Sequence, residues 1–274
     1  MTTQITDDSR AVGEMESGAT VSRPSFLTAP LASFFAALQF LTIFPPVVRR
    51  PFTGTELGGS LAFFPVIGGL LGGMLLSLDR LLALALPPGV SAALILAIWI
   101  LATGALHVDG FLDTCDGLWG GKNPEERLRI MRDHRVGSFA VIGGILLLLI
   151  KYQALAALVD RETALLLAPI LGRWGMVPAV VCFPYARMEG LGRDLKDNAG
   201  WLPLLLASAC SIGAVWWLAA WLGILCAAVV LVALAGIAAI ALRRLPGFTG
   251  DIYGFCCEVF EVAVLLTLVA GENA

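Results

Sequence analysis

Residues 202–242 form a run of 41 positions without one Asp, Glu, Lys or Arg, and four shorter charge-free runs precede it at 24–48, 57–78, 81–106 and 136–150. A helix needs about 20 mostly apolar residues to cross the hydrocarbon of a bilayer, so these runs constrain the fold more than any other feature. Two weaker segments extend the series: 163–184 is apolar except for Arg173, and 255–271 except for Glu258 and Glu261. The longest run is long enough for two helices, with Trp216, Trp217 and Trp221 suited to an interfacial turn between them. The pattern predicts an all-α, polytopic integral membrane bundle of about seven to eight spans, near 30–48, 57–78, 88–107, 136–158, 163–184, 202–220, 223–242 and 255–271. Pro30, Pro45 and Pro46 interrupt the first, which leaves a re-entrant or interfacial helix there as open as a span.

Composition agrees. Soluble domains are about 45–50% apolar and roughly 25% charged; this chain is 58% hydrophobic and 14% charged. That excludes an ordinary soluble enzyme, a disordered chain and a basic nucleic-acid binder, so no nucleic-acid partner is expected. Residues 1–23 are polar without a signal-peptide pattern and read as a disordered tail; residues 24–274 read as a single transmembrane catalytic domain.

The charges are placed asymmetrically. The loops 49–56, 108–135, 185–200 and 243–254 hold 12 of the 18 Lys and Arg. Any two of these loops are separated by an even number of expected spans, so all four share a face, and the positive-inside rule makes it cytoplasmic. The six cysteines form no C-x-x-C pair and read as small packing residues. Gly68, Gly69, Gly72 and Gly73, inside an expected span, read as sites of close helix approach.

The acids are not scattered. Asp109, Asp113 and Asp116 follow the end of a span at i, i+4 and i+7, on one helical face. Three carboxylates on one face repel each other unless a cation lies between them, and hard oxygen donors without thiolate or several histidines favour Mg²⁺ or Mn²⁺ over zinc. The same segment continues through Arg127, Arg129, Arg132, Asp133, His134 and Arg135. Arginines beside a carboxylate–metal site suit a phosphorylated anion, with Arg135 the leading candidate. Asp251, on the same face, is followed at i+7 by Glu258. Ionisable groups in spans carry a functional presumption: Arg173 would pair with a carboxylate or a substrate phosphate, and Lys151 could equally snorkel to the interface. His107 and His134 are candidate general bases.

Residues 104–117, GALHVDGFLDTCDG, resemble the G-x-x-H-x-D-G-x-x-D-x-x-D-G signature of the cobalamin synthase family. Five further stretches resemble that family in order: QFLTIFP at 39–45, FPVIG at 64–68, IMRDHRVGSF at 130–139, PYARMEGLG at 184–192 and GFTGDIYG at 247–254. The likeness covers about residues 34–268. It implies a late step of cobalamin assembly, in which adenosylcobinamide-GDP is joined to α-ribazole or its phosphate and GMP is released, with Mg²⁺ required.

In that scheme Asp109, Asp113 and Asp116 hold the metal. Arg132, Arg135 and Arg187 clamp phosphates, with Arg173 and His107 also expected at the substrate. One of the three Asp, or Asp133 or Asp251, accepts a ribose hydroxyl proton; the division between ligand and base is open. A bacterial inner membrane with the site on the cytoplasmic side follows, and a second copy or pathway enzymes are candidate protein partners. A CDP-alcohol phosphotransferase of lipid synthesis is the alternative, but its D-G-x-x-A-R element is absent, Asp113-Thr114 standing where Ala-Arg should be. A transporter would need mid-membrane charges and inverted repeats.

Overall fold

A computed structural model describes residues 28–272; the expected N-terminal tail lies outside the described residues. The described chain is helical, with a single isolated bridge between Tyr185 and Phe248 in place of any strand. Eleven α-helices follow in order: α1 Thr28–Leu41, α2 Gly54–Ser60, α3 Phe64–Leu82, α4 Pro88–Ala102, α5 Leu106–Gly120, α6 Pro124–Ile130, α7 Ser138–Ala157, α8 Arg161–Cys182, α9 Leu191–Asp197, α10 Trp201–Ala241 and α11 Gly250–Glu272. Local signals set several starts. Thr53 and Glu56 close a capping box on α2, Asn123 caps α6, and Asp160 caps α8.

Five described helices are long and apolar enough to cross a membrane, or six if the bent pair α4–α5 is one broken span. The seven to eight spans expected from sequence exceed this. Residues 30–48 give only the 14-residue α1, about 21 Å at 1.5 Å per residue against roughly 30 Å of hydrocarbon. The expected straight span 88–107 is instead two helices meeting at 87°, turned by Gly104 and Ala105, both at positive φ. The 41-residue α10 enters the count once, yet it breaks at Ala220 (φ 45°, ψ −124°). A Cβ on Gly223 would lie 2.6 Å from the Val215 carbonyl oxygen, so the two arms fold back on each other. The exposed Trp216, Trp217 and Trp221 flank that turn.

The centre of the bundle is α8, buried along most of its length against α3, α10 and α11. Gly68 and Gly72 make the α3 contact possible: a Cβ would meet the Pro169 carbonyl oxygen at 2.3 Å and the Leu165 carbonyl oxygen at 2.6 Å. Gly69 and Gly73, grouped with them in sequence, make no such approach. Outside, α7 and α10 expose Ile142, Ile145, Leu149, Leu205, Val232 and their neighbours, an apolar belt with no place in water. Among the described cysteines four are buried and none is paired.

The basic loops converge at one end. Arg127 donates to the Arg244 carbonyl (3.3 Å), Arg244 to that of Leu118 (2.7 Å) and Arg187 to that of Met131 (3.4 Å). Tyr185 pairs with Phe248, and Gly54 and Gly58 lie against Asn198. A second set of charges, Arg80 with Glu162 (2.6 Å) and Arg161 with Asp79 (2.9 Å), ties α3 to α8 elsewhere.

Candidate active site

Two helices bring the acids together. A Cβ on Gly110 of α5 would lie 2.8 Å from the Asp251 carbonyl oxygen, and one on Gly254 of α11 would lie 3.1 Å from that of His107. Glycine at both places lets the backbones touch, and this closeness sets Asp251 beside the acidic face of α5. Asp113 stands in the fields of Asp109, Asp251 and Asp116, with Arg187 as the opposing charge.

The four carboxylates are held differently. Asp116 is buried; its Oδ2 accepts the Gly137 N–H (2.6 Å) and its Oδ1 the Ala140 N–H (2.8 Å). It thereby satisfies orphan donors at the N-terminus of α7 and meets the positive end of that helix. Asp251 accepts from Arg187 Nη2 at 2.5 Å and from Thr249 Oγ1 at 3.2 Å. Asp109 is exposed and Asp113 half-buried, and neither side chain has a hydrogen-bond partner among the described residues.

A cavity of about 250 Å³ opens on this face, lined by Asp109, Asp113, Asp116, Arg132, Asp133 and Arg135 among others. Arg132 also lines a neighbouring cavity of about 510 Å³, with Tyr185, Arg187 and Glu189. Acids and arginines therefore line two neighbouring polar cavities that share Arg132. Asp133 is bound by Arg135 through Nη2–Oδ2 (2.7 Å) and Nε–Oδ1 (3.0 Å). That guanidinium and the Arg135 N–H hold the Asp133 carboxyl down at about 2.

With Asp133 paired to Arg135 and Asp251 to Arg187, the carboxylates of Asp109, Asp113 and Asp116 leave an excess of negative oxygen donors that suits a hard divalent cation. As the side chains stand, no three His, Cys, Asp or Glu among the described residues converge into a finished ligand shell. The residues suit such an ion by the chemistry of their oxygen donors, and Asp116 is already oriented by α7.

Arg173 and His107, expected at the substrate, do not line these cavities. Arg173 is buried and pairs with Glu261, its Nη2 lying 3.4 Å from His107 Nδ1. Lys151 does not snorkel: its Nζ bonds Glu258 (2.7 Å) and Glu261 and lies 4.7 Å from the centre of the Trp99 ring. These two cations and two anions join α7, α8 and α11 inside the bundle. Sequence reasoning missed Glu261 as the shared partner, although two anions and two cations in three neighbouring spans were a visible balance. It also missed Tyr185, which follows a proline and alternates with Arg187 along an extended segment, and Thr249, two residues before Asp251.

Comparison with known proteins places the sequence in a family. The Cobalamin-5-phosphate synthase family profile matches residues 33–269. A protein of Geotalea daltonii named adenosylcobinamide-GDP ribazoletransferase is 42% identical over 241 residues, 88% of this chain and 98% of its own. Proteins of the same name from Pseudomonas syringae pv. syringae and Pseudomonas putida (strain GB-1) are 41% and 40% identical, covering 86% and 87% of this chain and 98% of each relative. No solved structure matches. With the triple-Asp face, the arginine-lined cavity and these matches together, the chain belongs to the Cobalamin-5-phosphate synthase family.

Proposed function

We propose that this membrane enzyme catalyses a late step of cobalamin biosynthesis, joining adenosylcobinamide-GDP to α-ribazole or its phosphate with release of GMP. The observation that carries the reading is the juxtaposition of the acidic face of α5 with Arg132 and Arg187 across adjoining cavities. Family membership supplies the substrate class.

A ribose hydroxyl of α-ribazole attacks the phosphorus attached to cobinamide, and the bond to the GMP phosphate breaks. Arg132 and Arg187 bind the diphosphate oxygens and hold the phosphorus for in-line attack. Asp109, Asp113 and Asp116 would hold Mg²⁺, which when bound neutralises charge on the diphosphate and the departing phosphate. Asp109 and Asp113 have no competing hydrogen bond, and one of the two takes the hydroxyl proton in place of ligating the ion. Asp133 is a weak base, because Arg135 holds its carboxyl at about 2. Asp251 orients Arg187.

The basic loops gather at the end that carries the cavities, and the positive-inside rule favours the cytoplasmic side of a bacterial inner membrane for both. The test is turnover: purified protein in lipid nanodiscs receives both substrates and Mg²⁺, and GMP is quantified by chromatography. The reading expects GMP with Mg²⁺ and none after chelation; no GMP from folded protein with Mg²⁺ present defeats it.

A further inference from the structure

A third cavity, about 360 Å³, lies between α1, α2, α5 and α9, lined by Phe40, Phe52, Leu57, Leu106, Leu191 and Leu195 among others. It has no charged lining residue. Leu106 is three residues before Asp109 and seven before Asp113, so the three stack along one face of α5, with Leu106 about one turn from Asp109. Leu191 lines both this cavity and the arginine cavity. The apolar space therefore adjoins the arginine cavity at Leu191, and its Leu106 wall stands one turn from the first acid of α5.

The polar side chains in its wall are few and partly committed. Gln39 spends both ends of its amide on Val48, donating from Nε2 to the carbonyl (3.2 Å) and accepting the N–H at Oε1 (2.9 Å). Ser60 donates to the Leu57 carbonyl (2.6 Å). A guanine base brings more donors and acceptors than these two side chains can answer, and burying the remainder unpaired is unfavourable. A corrin macrocycle is too large for the space. A flat, mostly hydrocarbon bicyclic base has the right size and polarity and brings a single ring-nitrogen acceptor.

We propose that this cavity is the specificity pocket for the benzimidazole base of the nucleoside substrate, an inference that rests on the transferase reading above. The base lies against Phe40, Phe52 and Leu57, and its ribose extends past Leu106 toward Asp109. The guanosine end of the other substrate is left to the polar side of Arg132 and Arg187. Nucleosides are then sorted by how few polar groups the base carries, since a purine riboside would leave more ring nitrogens and its amino group unpaired.

Steady-state kinetics in nanodiscs tests this with Leu106→Trp, which fills the pocket from a partly exposed position, and Phe52→Ser, which removes a ring and adds a hydroxyl. KM for α-ribazole is expected to rise about tenfold or more in each. KM for adenosylcobinamide-GDP, and kcat at saturation, should stay within about twofold of wild type. The wild type should also disfavour a purine α-riboside against α-ribazole, with the gap narrowed by Phe52→Ser. Unchanged KM for α-ribazole in both variants, as for a pocket that holds only a lipid chain, overturns the proposal. So does an equal rise for both substrates. A wild type that releases no GMP would instead overturn the transferase reading and the inference with it, so the two failures are distinct.

Discussion

Arg187 donates from Nη2 to Asp251 Oδ2 at 2.5 Å, joining two residues 64 positions apart. The pair lies at the junction of α5 and α11, and the same guanidinium faces the larger polar cavity. Asp251 thereby aims a cation at the place assigned to the diphosphate. Arg187→Lys keeps the charge but loses the planar fork, and Asp251→Asn keeps the shape but loosens the aim. Each is expected to lower kcat, by about 10²-fold for Arg187→Lys and less for Asp251→Asn, with GMP release as the readout. Wild-type kcat in both would remove Arg187 from the site.

Asp116 has a second duty, because its two oxygens take the Gly137 and Ala140 N–H groups. In Asp116→Asn one of those buried donors faces an amide NH₂, which costs about 1–3 kcal/mol. Thermal unfolding in detergent should therefore show a lowered Tm for Asp116→Asn. Asp109→Asn, at an exposed position among like charges, should leave Tm unchanged or raise it. The reverse order of Tm values would contradict this division of roles.

The interior cluster of Lys151, Glu258, Glu261 and Arg173 is balanced, two charges of each sign. Glu261→Gln leaves two buried cations with one anion. Breaking a buried pair from one side costs roughly 3–5 kcal/mol, so this variant should unfold at markedly lower temperature. Adding Lys151→Met to it restores the balance and should recover part of the loss. A double variant less stable than the single would show that the pairing is not what holds α7 to α11.

Asp133 gives a prediction about pH. Its carboxyl is held at about 2 by Arg135. A depressed carboxylate contributes above the ordinary carboxylate range, and that contribution is lost only as pH falls toward the folded value. Asp133 thus stays ionised throughout neutral pH, and Asp133→Asn should leave the limbs of the pH–rate profile where they are. A shifted limb near neutrality would make Asp133 the titrating base.

The acidic face of α5 and the late Asp251 were legible in the sequence because helical spacing and charge scarcity act locally. The convergence of the four basic loops was legible through span parity, and contacts such as Arg127 with Arg244 bear it out. The bend between α4 and α5 was not, since it rests on left-handed backbone at Gly104 and at Ala105, a residue that rarely adopts it. The interior position of Arg173 and His107 was hidden too. Their neighbours Glu261 and Gly254 are distant in sequence and meet them only through packing. The commitment of Asp116 to α7 is likewise a tertiary fact.

The central claim is that the carboxylates of α5 carry the Mg²⁺-dependent transfer. It is tested most directly by GMP release from adenosylcobinamide-GDP and α-ribazole across a Mg²⁺ titration, comparing wild type with Asp113→Asn. Asp113→Asn should retain wild-type Tm and lose about 10³-fold or more in turnover at every Mg²⁺ concentration. Turnover near the wild-type level in folded Asp113→Asn would contradict the account.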